Sequence, residues 1–226
     1  MERYKYETHL HTKESSWCAR VPAVEAVRMY HHYGYTGIIV TDHYFRGFFE
    51  TMPFGNWERK IDCFLSGYRK ALNEGGKIGL DVCLGMEIRF DENDNDYLVY
   101  GIDEAFLKEN RKLYRLTLEE FKGFVAGKGI AVVQAHPFRP GMIPAQPSLL
   151  DAVEAFNGNP RQESQNHLAF EYAVQNGLKM LSGTDFHRVE DAFRGGVATE
   201  EKINLGEFGL LILQNYPMEL IQADMA

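Results

Sequence analysis

The chain has 226 residues, of which 45% are hydrophobic and 13% aromatic, and it carries a formal net charge of -8. This length and composition favour a single domain over residues 1–226 and exclude a disordered chain, while the acidic charge argues against binding to long nucleic acids. The three cysteines lack CxxC spacing, and neither an apolar signal peptide nor a membrane-length apolar run is present, so we expect a reduced, cytoplasmic protein with no membrane partner.

Short apolar runs alternate with amphipathic stretches along the chain. Strands are predicted at 4–11, 37–43, 81–90, 97–102, 130–136, 152–157, 178–185 and 196–199. Helices are predicted at 22–33, 57–73, 117–127 and 162–176, the second ended by Gly75-Gly76 and the last by Gly177. An aromatic segment follows the second strand and runs into the second helix. It could form a lid over a site, or it could simply fill the core. Its rings are Phe45, Phe48, Phe49, Phe54 and Trp57.

This alternation of strands and helices predicts a mostly parallel sheet, and seven or eight such units in one domain favour closure into an α/β barrel. Catalytic groups of such barrels gather at the C-terminal ends of the strands. The candidate metal ligands of this chain stand at those ends, and they are His9, His11, His43, Glu87, His136, Asp185 and His187. Neutral imidazole and carboxylate are ligands for zinc, manganese and iron, so the set predicts a polynuclear metal site.

The spacing of these residues suggests individual roles. Residues two apart on a strand share a face, so His9 and His11 can chelate one ion, although two histidines bonded to backbone would give the same pattern. Adjacent residues face opposite ways, so we expect His43 to be a ligand and Asp42 to cap a turn or support a ligand. A buried carboxylate needs a partner, and for Glu87 we favour a bridge between two cations over an ion pair with Arg89.

Other residues are candidates for binding substrate. Pro137 predicts an extended backbone at His136, which would hold that imidazole rigidly. Arg139 can clamp a phosphate with two hydrogen bonds, unless it is an ordinary surface arginine. Asn157 can contact substrate, or it can simply occupy a turn beside Gly158.

Taken together, the segments HLHT (9–12), TDH (41–43), GME (85–87), AHP (135–137) and GTDFH (183–187) resemble the ordered motifs of the polymerase and histidinol phosphatase (PHP) superfamily. The resemblance is to its small stand-alone members. It implies a distorted seven-stranded β/α barrel of the TIM-barrel type, two or three divalent ions (zinc, manganese or iron) and phosphoesterase activity. By this resemblance, one ion is held by His9, His11, Glu87 and Asp185, a second by His43 and His187, and a third by Glu87 and His136.

The chain departs from the PHP pattern at two positions. Family members have a further Asp or His shortly after the HxHT segment, where this chain offers only Glu14 or Cys18. They also have a His where the next strand begins, and here Asp96 or Tyr97 stands. Asp96 as an oxygen ligand would favour manganese or iron over zinc.

The predicted function is hydrolysis of a small phosphomonoester, as in a histidinol phosphatase, by metal-activated water. Arg139, Arg20 and Arg188 are predicted to hold the phosphate, and Asp185 or His187 to relay a proton. The alternatives are a phosphodiesterase or oligonucleotide hydrolase of the same fold, an amidohydrolase, which the lack of a metal-bridging lysine disfavours, and a metal- or ligand-binding protein without turnover. The sequence leaves the oligomeric state open.

Overall fold

Ten strands and eight α-helices alternate along the chain in a computed structural model that describes residues 3–53 and 55–223. The strands are β1 (Tyr4–Leu10), β2 (Gly37–Val40), β3 (His43–Tyr44), β4 (Asp81–Arg89), β5 (Asp96–Tyr100), β6 (Ala131–Gln134), β7 (Ala152–Asn157), β8 (Lys179–Gly183), β9 (Val197–Thr199) and β10 (Glu219–Leu220). The α-helices are α1 (Ala23–His32), α2 (Arg46–Glu50), α3 (Trp57–Phe64), α4 (Ser66–Ile78), α5 (Glu104–Glu109), α6 (Leu118–Val125), α7 (Asn166–Asn176) and α8 (Phe208–Leu213). Short 3-10 helices cover Leu113–Arg115, Pro147–Leu149, Val189–Asp191 and Leu205–Glu207. Within the described residues, no helix has the length and apolar character needed to cross a bilayer.

The strands form one sheet that curls into a nearly closed barrel. Its order is β10-β9-β1-β2-β4-β5-β6-β7-β8, with β3 beside β4. The ring consists of seven strands, β1, β2 and β4 to β8, because the end of β1 meets the segment after β8. There Leu10 pairs with Phe186 in a parallel bridge, and the His11 backbone N–H donates to Phe186 O at 3.0 Å. The predicted barrel fold is therefore confirmed.

The sheet is mixed in direction. The pairs β1–β2, β2–β4, β6–β7 and β7–β8 are parallel, whereas β5 runs antiparallel between β4 and β6, and β9 and β10 add antiparallel strands beside β1. Because β5 runs backwards, its first residue, Asp96, lies opposite Arg89 at the edge where the parallel strands end. Asp96 thus reaches the same edge of the barrel from the N-terminal end of its strand.

The predicted helix over 57–73 is two helices, α3 and α4, and it does not end at Gly75-Gly76. Helix α4 runs to Ile78 and is capped by Gly79, whose φ of +83° lies in the left-handed region. Gly75 instead permits close packing on the sheet, because a Cβ there would lie 2.5 Å from the carbonyl oxygen of Leu80. The prediction was wrong because a glycine that permits close contact and one that ends a helix read alike in sequence.

The aromatic segment after β3 mostly fills the core. Phe48, Phe49 and Trp57 are buried in one cluster with Tyr44 and other rings, with Phe49 and Trp57 only 4.9 Å apart between ring centroids. Phe45 is half-buried. Phe54 lies outside the described residues. Core filling is therefore the correct interpretation for three of these side chains.

Helix α8 packs at the end of the barrel opposite the candidate ligands. Phe208 contacts Tyr100 edge-on, with the ring centroids 5.0 Å apart. A Cβ on Gly209 would lie 2.5 Å from the Tyr100 carbonyl oxygen, so only glycine permits this approach. Since Tyr100 ends the antiparallel β5, α8 covers the far end of the barrel and leaves the ligand-bearing end free of it.

Candidate metal centre

Seven predicted ligands meet at one end of the barrel. β1 supplies the first histidine and the loop after it the second; the others come from β3, β4, and the segments that follow β6 and β8. Their donor atoms form three overlapping groups, each with its atoms within 4.8 Å of one another. We call these site A (His9, His11, Asp185), site B (His9, Glu87, His136) and site C (His11, His43, His187).

Site A pairs the HxH segment with Asp185. The Nε2 atoms of His9 and His11 are 3.1 Å apart, and Asp185 Oδ1 lies 3.5 Å and 3.4 Å from them, respectively. The two histidines therefore do present their rings to one point, as their spacing predicts. Asp185 joins them because the chain after β8 bridges the end of β1.

Glu87 lies between all three sites. Its Oε1 is 3.2 Å from His9 Nε2 and 3.1 Å from His136 Nε2. Its Oε2 is 3.5 Å from His11 Nε2 and 2.6 Å from His43 Nδ1. Arg89 does not pair with Glu87, because it binds the Asp96 carboxylate with two hydrogen bonds of 2.8 Å and 2.7 Å. The position of Glu87 suits the predicted bridging role.

These donor sets fit divalent metal ions. Despite its short contact with His43, Glu87 Oε2 makes no hydrogen bond of acceptable geometry to any described residue, although it is fully buried. An uncompensated buried carboxylate oxygen is costly, and a cation beside it removes that cost. Mixed imidazole and carboxylate donors are typical of zinc, manganese and iron sites.

Burial and neighbouring charges set the protonation of the cluster. Burial alone lowers the pKa of His9, but the carboxylates of Glu154 and Glu87 raise it well above its usual value. Burial raises the pKa of Glu87, yet His9 and His43 hold that pKa well below its usual range. For Asp185, burial also raises the pKa, while His9 and Arg139 bring it well below normal. The ionised forms of Glu87 and Asp185 are thus favoured, which is the form in which a carboxylate would bind a cation.

Cys18 adjoins site C. Its Sγ lies 3.0 Å from His187 Nε2 and 3.2 Å from His43 Nε2. Burial raises the pKa of this thiol, but contacts with the two histidines lower it to about 6. Burial lowers the pKa of His187, while Asp185 and Cys18 raise it to about 10.

The other residues considered at the two departures lie differently. Glu14 accepts a hydrogen bond from the backbone N–H of Ala23 at 3.0 Å, at the start of α1. The hydroxyl of Tyr97 accepts from Asn95 at 3.2 Å, and its ring packs in the core. Asp96 is engaged by Arg89 and belongs to none of the three sites, so its role as a ligand stays a prediction.

A buried carboxylate that the sequence did not single out, Glu154 on β7, orients the cluster. Its Oε1 is 2.8 Å from His9 Nδ1, and its Oε2 accepts from the His136 backbone N–H and from Asn157 Nδ2, both at 2.9 Å. A hydrogen bond at Nδ1 fixes the tautomer that leaves Nε2 free for a metal. The available signal was an acidic residue inside an otherwise apolar strand, which must have a partner when buried.

Two further buried carboxylates, Glu7 and Asp42, hold the backbone around the site. Glu7 accepts from the backbone N–H groups of His9 and Thr184, at 2.9 Å in each case, and so ties β1 to the segment after β8. Asp42 accepts from the Thr12 backbone N–H and hydroxyl, both at 2.7 Å. Asp42 therefore supports the loop after β1 and belongs to none of the three groups of ligands, in agreement with the supporting role predicted for it.

The backbone is strained at two of the predicted ligands. His136 has a φ of +30° and Asp185 a φ of +52°, in the region that favours glycine. The prediction of an extended backbone at His136 is therefore wrong: its N–H is held by Glu154 and its carbonyl oxygen by Arg139 N at 3.1 Å, which together force a turn. Strain of this kind costs about 1–3 kcal/mol per residue and is concentrated at functional sites.

The predicted substrate-binding residues occupy different depths. Arg139 Nη2 is 2.7 Å from Asp185 Oδ2 and 3.2 Å from Asn157 Oδ1. Asn157 is buried and makes its contacts within the protein. Arg20 and Arg188 are exposed at the rim, where the Arg20 N–H donates to His187 O at 2.8 Å. The structure thus brings Arg139 to the cluster and leaves the other two arginines at its edge.

A cleft of about 220 Å³ opens beside Glu87 and His43. Its walls also include Trp17, Phe45, Arg89 and Asp96. Trp17 is 60% exposed, and its ring contacts Phe45 edge-on at 5.7 Å. A mostly solvent-exposed tryptophan beside buried acids and histidines is unusual, because such a large ring is normally covered.

The barrel with this cluster at its strand ends has the fold of PHP-like metal-dependent phosphoesterases. One solved structure with this fold is a two-domain protein from Bacteroides vulgatus that contains a predicted PHP-like metal-dependent phosphoesterase; it aligns with a TM-score of 0.65 and 16% identity over 98% of this chain and 65% of that chain. The present chain thus spans 65% of the length of that protein.

Two other solved structures match over most of their length. One is a candidate metal-dependent phosphoesterase from Bifidobacterium adolescentis, with a TM-score of 0.52 and 18% identity over 81% of this chain and 87% of that chain. The other is an amidohydrolase from Chromobacterium violaceum with bound sulfate, with a TM-score of 0.53 and 15% identity over 87% and 92% of the two chains. Neither a protein-family model nor a curated protein matches the chain.

These similarities confirm the resemblance found in the sequence at the level of the fold. Two of these structures are described as predicted or candidate metal-dependent phosphoesterases, and the buried histidines and carboxylates of this chain form groups able to bind metal. At this level of identity, the reaction and its substrate must be argued from the site itself.

Proposed function

We propose that this protein is a metal-dependent phosphatase that hydrolyses a small phosphomonoester. The observation that carries the proposal is the position of Glu87, which contacts the imidazoles of all three sites at the wall of a small cleft. Overlapping metal sites at the mouth of a barrel are suited to phosphoryl chemistry, because several cations can neutralise one phosphate.

Two or three divalent ions, zinc, manganese or iron, would be held by the donors of sites A, B and C, with each imidazole nitrogen bound to a single ion. When bound, such ions lower the pKa of a coordinated water and neutralise phosphoryl oxygens. Asp185 and His187 are ionisable groups within the ligand cluster, so we assign them proton transfer to the leaving oxygen. Glu154 and Glu7 keep His9 and its strand in place.

Arg139 is assigned to the phosphate. It is half-buried, its Nη2 already contacts Asp185, and its Nε makes no hydrogen bond to a described residue although it is buried. A guanidinium with free donors beside a metal cluster is suited to an anionic oxygen. Arg20 and Arg188 at the rim would add weaker attraction for the same anion.

The size of the cleft and the charge of the chain favour a small substrate. A cleft of about 220 Å³ suits part of a small ester, and a net charge of -8 does not favour a long polyanion. A phosphodiester or short oligonucleotide of the same chemistry is the second candidate. Because one similar structure is an amidohydrolase with bound sulfate, hydrolysis of a carbon–nitrogen bond is a further alternative to be tested.

The test is phosphate release from a panel of phosphomonoesters, with added zinc or manganese and matched chelator controls. We expect metal-dependent release that Asp185→Asn reduces at least 100-fold, as is usual for loss of a ligand or proton-transfer group. Asp62→Asn is the control, because Asp62 is half-buried on α3, pairs with Arg69 and Lys108 and belongs to none of the three sites. Metal-loaded protein that is silent on monoesters but cleaves diesters supports the second candidate, and silence on every ester overturns the proposal in favour of a binding protein or an amidohydrolase.

A further inference from the structure

The loop after β1 carries a sulfur atom into the metal centre. Cys18 Sγ stands 3.0 Å from His187 Nε2 and 3.2 Å from His43 Nε2. These histidines come from widely separated parts of the chain, and His11 also reaches the same group, with its ring centroid 4.2 Å from each of theirs. Site C therefore consists of converging imidazoles with a thiol at its outer side.

Both histidines turn the same nitrogen toward the thiol. His187 Nδ1 is 2.9 Å from the Asp185 carbonyl oxygen, and His43 Nδ1 faces Glu87 Oε2 at 2.6 Å. Metal-binding histidines usually direct one ring nitrogen to a carboxylate or backbone carbonyl and the other to the ion. His43 and His187 have this arrangement, with Nε2 directed to the thiol in each.

The position of Cys18 is fixed by the fold on both sides. Two residues further on, Arg20 donates its backbone N–H to His187 O at 2.8 Å. On the other side, Ser16 Oγ donates to Asp42 at 2.7 Å and accepts from the His43 backbone N–H at 3.2 Å. The loop that carries Cys18 is thus hydrogen-bonded to the segments of both His43 and His187. These bonds hold the thiol in its position.

We propose that Cys18 is a metal ligand, and that with His43 and His187 it makes site C a cysteine-containing site selective for zinc-like ions. This inference rests on the proposed metal-dependent function. Cys18 binds as the thiolate, and its proton passes to solvent. Two ligands of one zinc ion lie no further apart than about 4.4 Å, the sum of a zinc–sulfur and a zinc–nitrogen bond, and both sulfur–nitrogen distances are within this limit.

The identity of the ligand has a chemical consequence. Thiolate is a soft donor that favours zinc and cobalt, whereas carboxylate favours manganese and magnesium. Sites A and B contain only imidazole and carboxylate. Site C is therefore the one expected to retain zinc or cobalt when manganese is in excess.

Cobalt substitution tests this directly, because cobalt bound by a thiolate shows a sulfur-to-metal charge-transfer band in the near ultraviolet. Metal-free full-length protein is titrated with Co²⁺, and absorbance and bound metal are measured. We expect the band in the wild type and in Cys63→Ser. Cys18→Ser should lose the band and should bind about one cobalt ion per chain fewer than the wild type. Cys63 is the control because it is half-buried on α3 and belongs to none of the three sites.

Two further measurements separate ligation from a structural role. Cys18→His should keep the bound ion but lose the band, since an imidazole replaces the sulfur. In wild-type protein, iodoacetamide should alkylate Cys18 in the metal-free state, and zinc should protect it, as read by peptide mass spectrometry. A wild-type protein without the band, a Cys18→Ser variant that keeps it, or alkylation unaffected by zinc overturns the proposal. A cobalt band in protein that hydrolyses no ester would retain the Cys18 assignment and reject the phosphatase function.

Discussion

Glu154 provides a sharp test of how the metal centre is held, because it touches no proposed reacting atom. Its two carboxylate oxygens accept from three groups: His9 Nδ1 at 2.8 Å, the His136 backbone N–H at 2.9 Å and Asn157 Nδ2 at 2.9 Å. Glu154→Gln keeps the shape but replaces one acceptor oxygen with an NH₂ group. At least one of the three donors then faces another donor, or His9 takes the wrong tautomer for a metal.

The expected size of the effect follows from these contacts. Loss of a partner that orients a metal-binding histidine lowers metal affinity about 10- to 100-fold, or about 1.4–2.7 kcal/mol. An unsatisfied buried donor also costs about 1–3 kcal/mol of folding stability, which lowers the melting temperature by roughly 2–12 °C in a domain of this size. Both effects should occur in Glu154→Gln.

Zinc affinity is measured by competition with a chromophoric chelator, well below the melting temperature of the variant, so that folding does not limit binding. Glu74→Gln is the matched control, because Glu74 is also a buried glutamate but pairs with Arg28 and Lys77 away from the cluster. A Glu154→Gln affinity within about twofold of the wild type would refute the idea that Glu154 orients His9 for metal binding.

Two other predictions concern the bound metal and the cleft. Removal of metal by a chelator should lower the melting temperature by about 5–11 °C, since an ion at 100 times its dissociation constant contributes about 2.7 kcal/mol; added zinc should restore it, and an unchanged transition would mean that the sites bind no ion tightly. Trp17→Ala should raise KM roughly 2- to 10-fold for esters with an aromatic leaving group, because an aromatic contact contributes about 0.5–1.5 kcal/mol, while KM for glycerol phosphate stays constant. Tyr33→Ala, which removes an exposed ring stacked on Phe193 outside the cleft, is its control, and equal changes for both ester types would exclude Trp17 as a contact for the leaving group.

Several features were readable from the sequence because they depend on local rules. The alternation of apolar strands with amphipathic helices predicted the barrel, and strand β7 has the predicted bounds of 152–157. The HxH spacing and the placement of histidines and acids at strand ends predicted which side chains would meet, since parallel strands of a barrel end at one edge. Short elements with little periodicity, such as α2, α5 and α8, were not predicted.

Other features depend on contacts between residues that are far apart in the chain, and no local pattern encodes them. Glu154 and His9 are 145 positions apart, so their hydrogen bond follows only from closure of the barrel. The same holds for Cys18, which the fold places beside His187 at a separation of 169 residues, while Glu14 turns to the start of α1.

The sequence by itself therefore determined the class of fold and the chemical types of the ligands, because periodicity and residue chemistry are local properties. Tertiary structure decided which carboxylate orients which histidine, which arginine pairs with Asp96, and that the backbone at His136 turns with a positive φ. These pairings depend on which buried polar groups lie close enough to form hydrogen bonds with one another. Each buried charge must find the neighbour that satisfies it, and only the folded chain determines which neighbours are within reach.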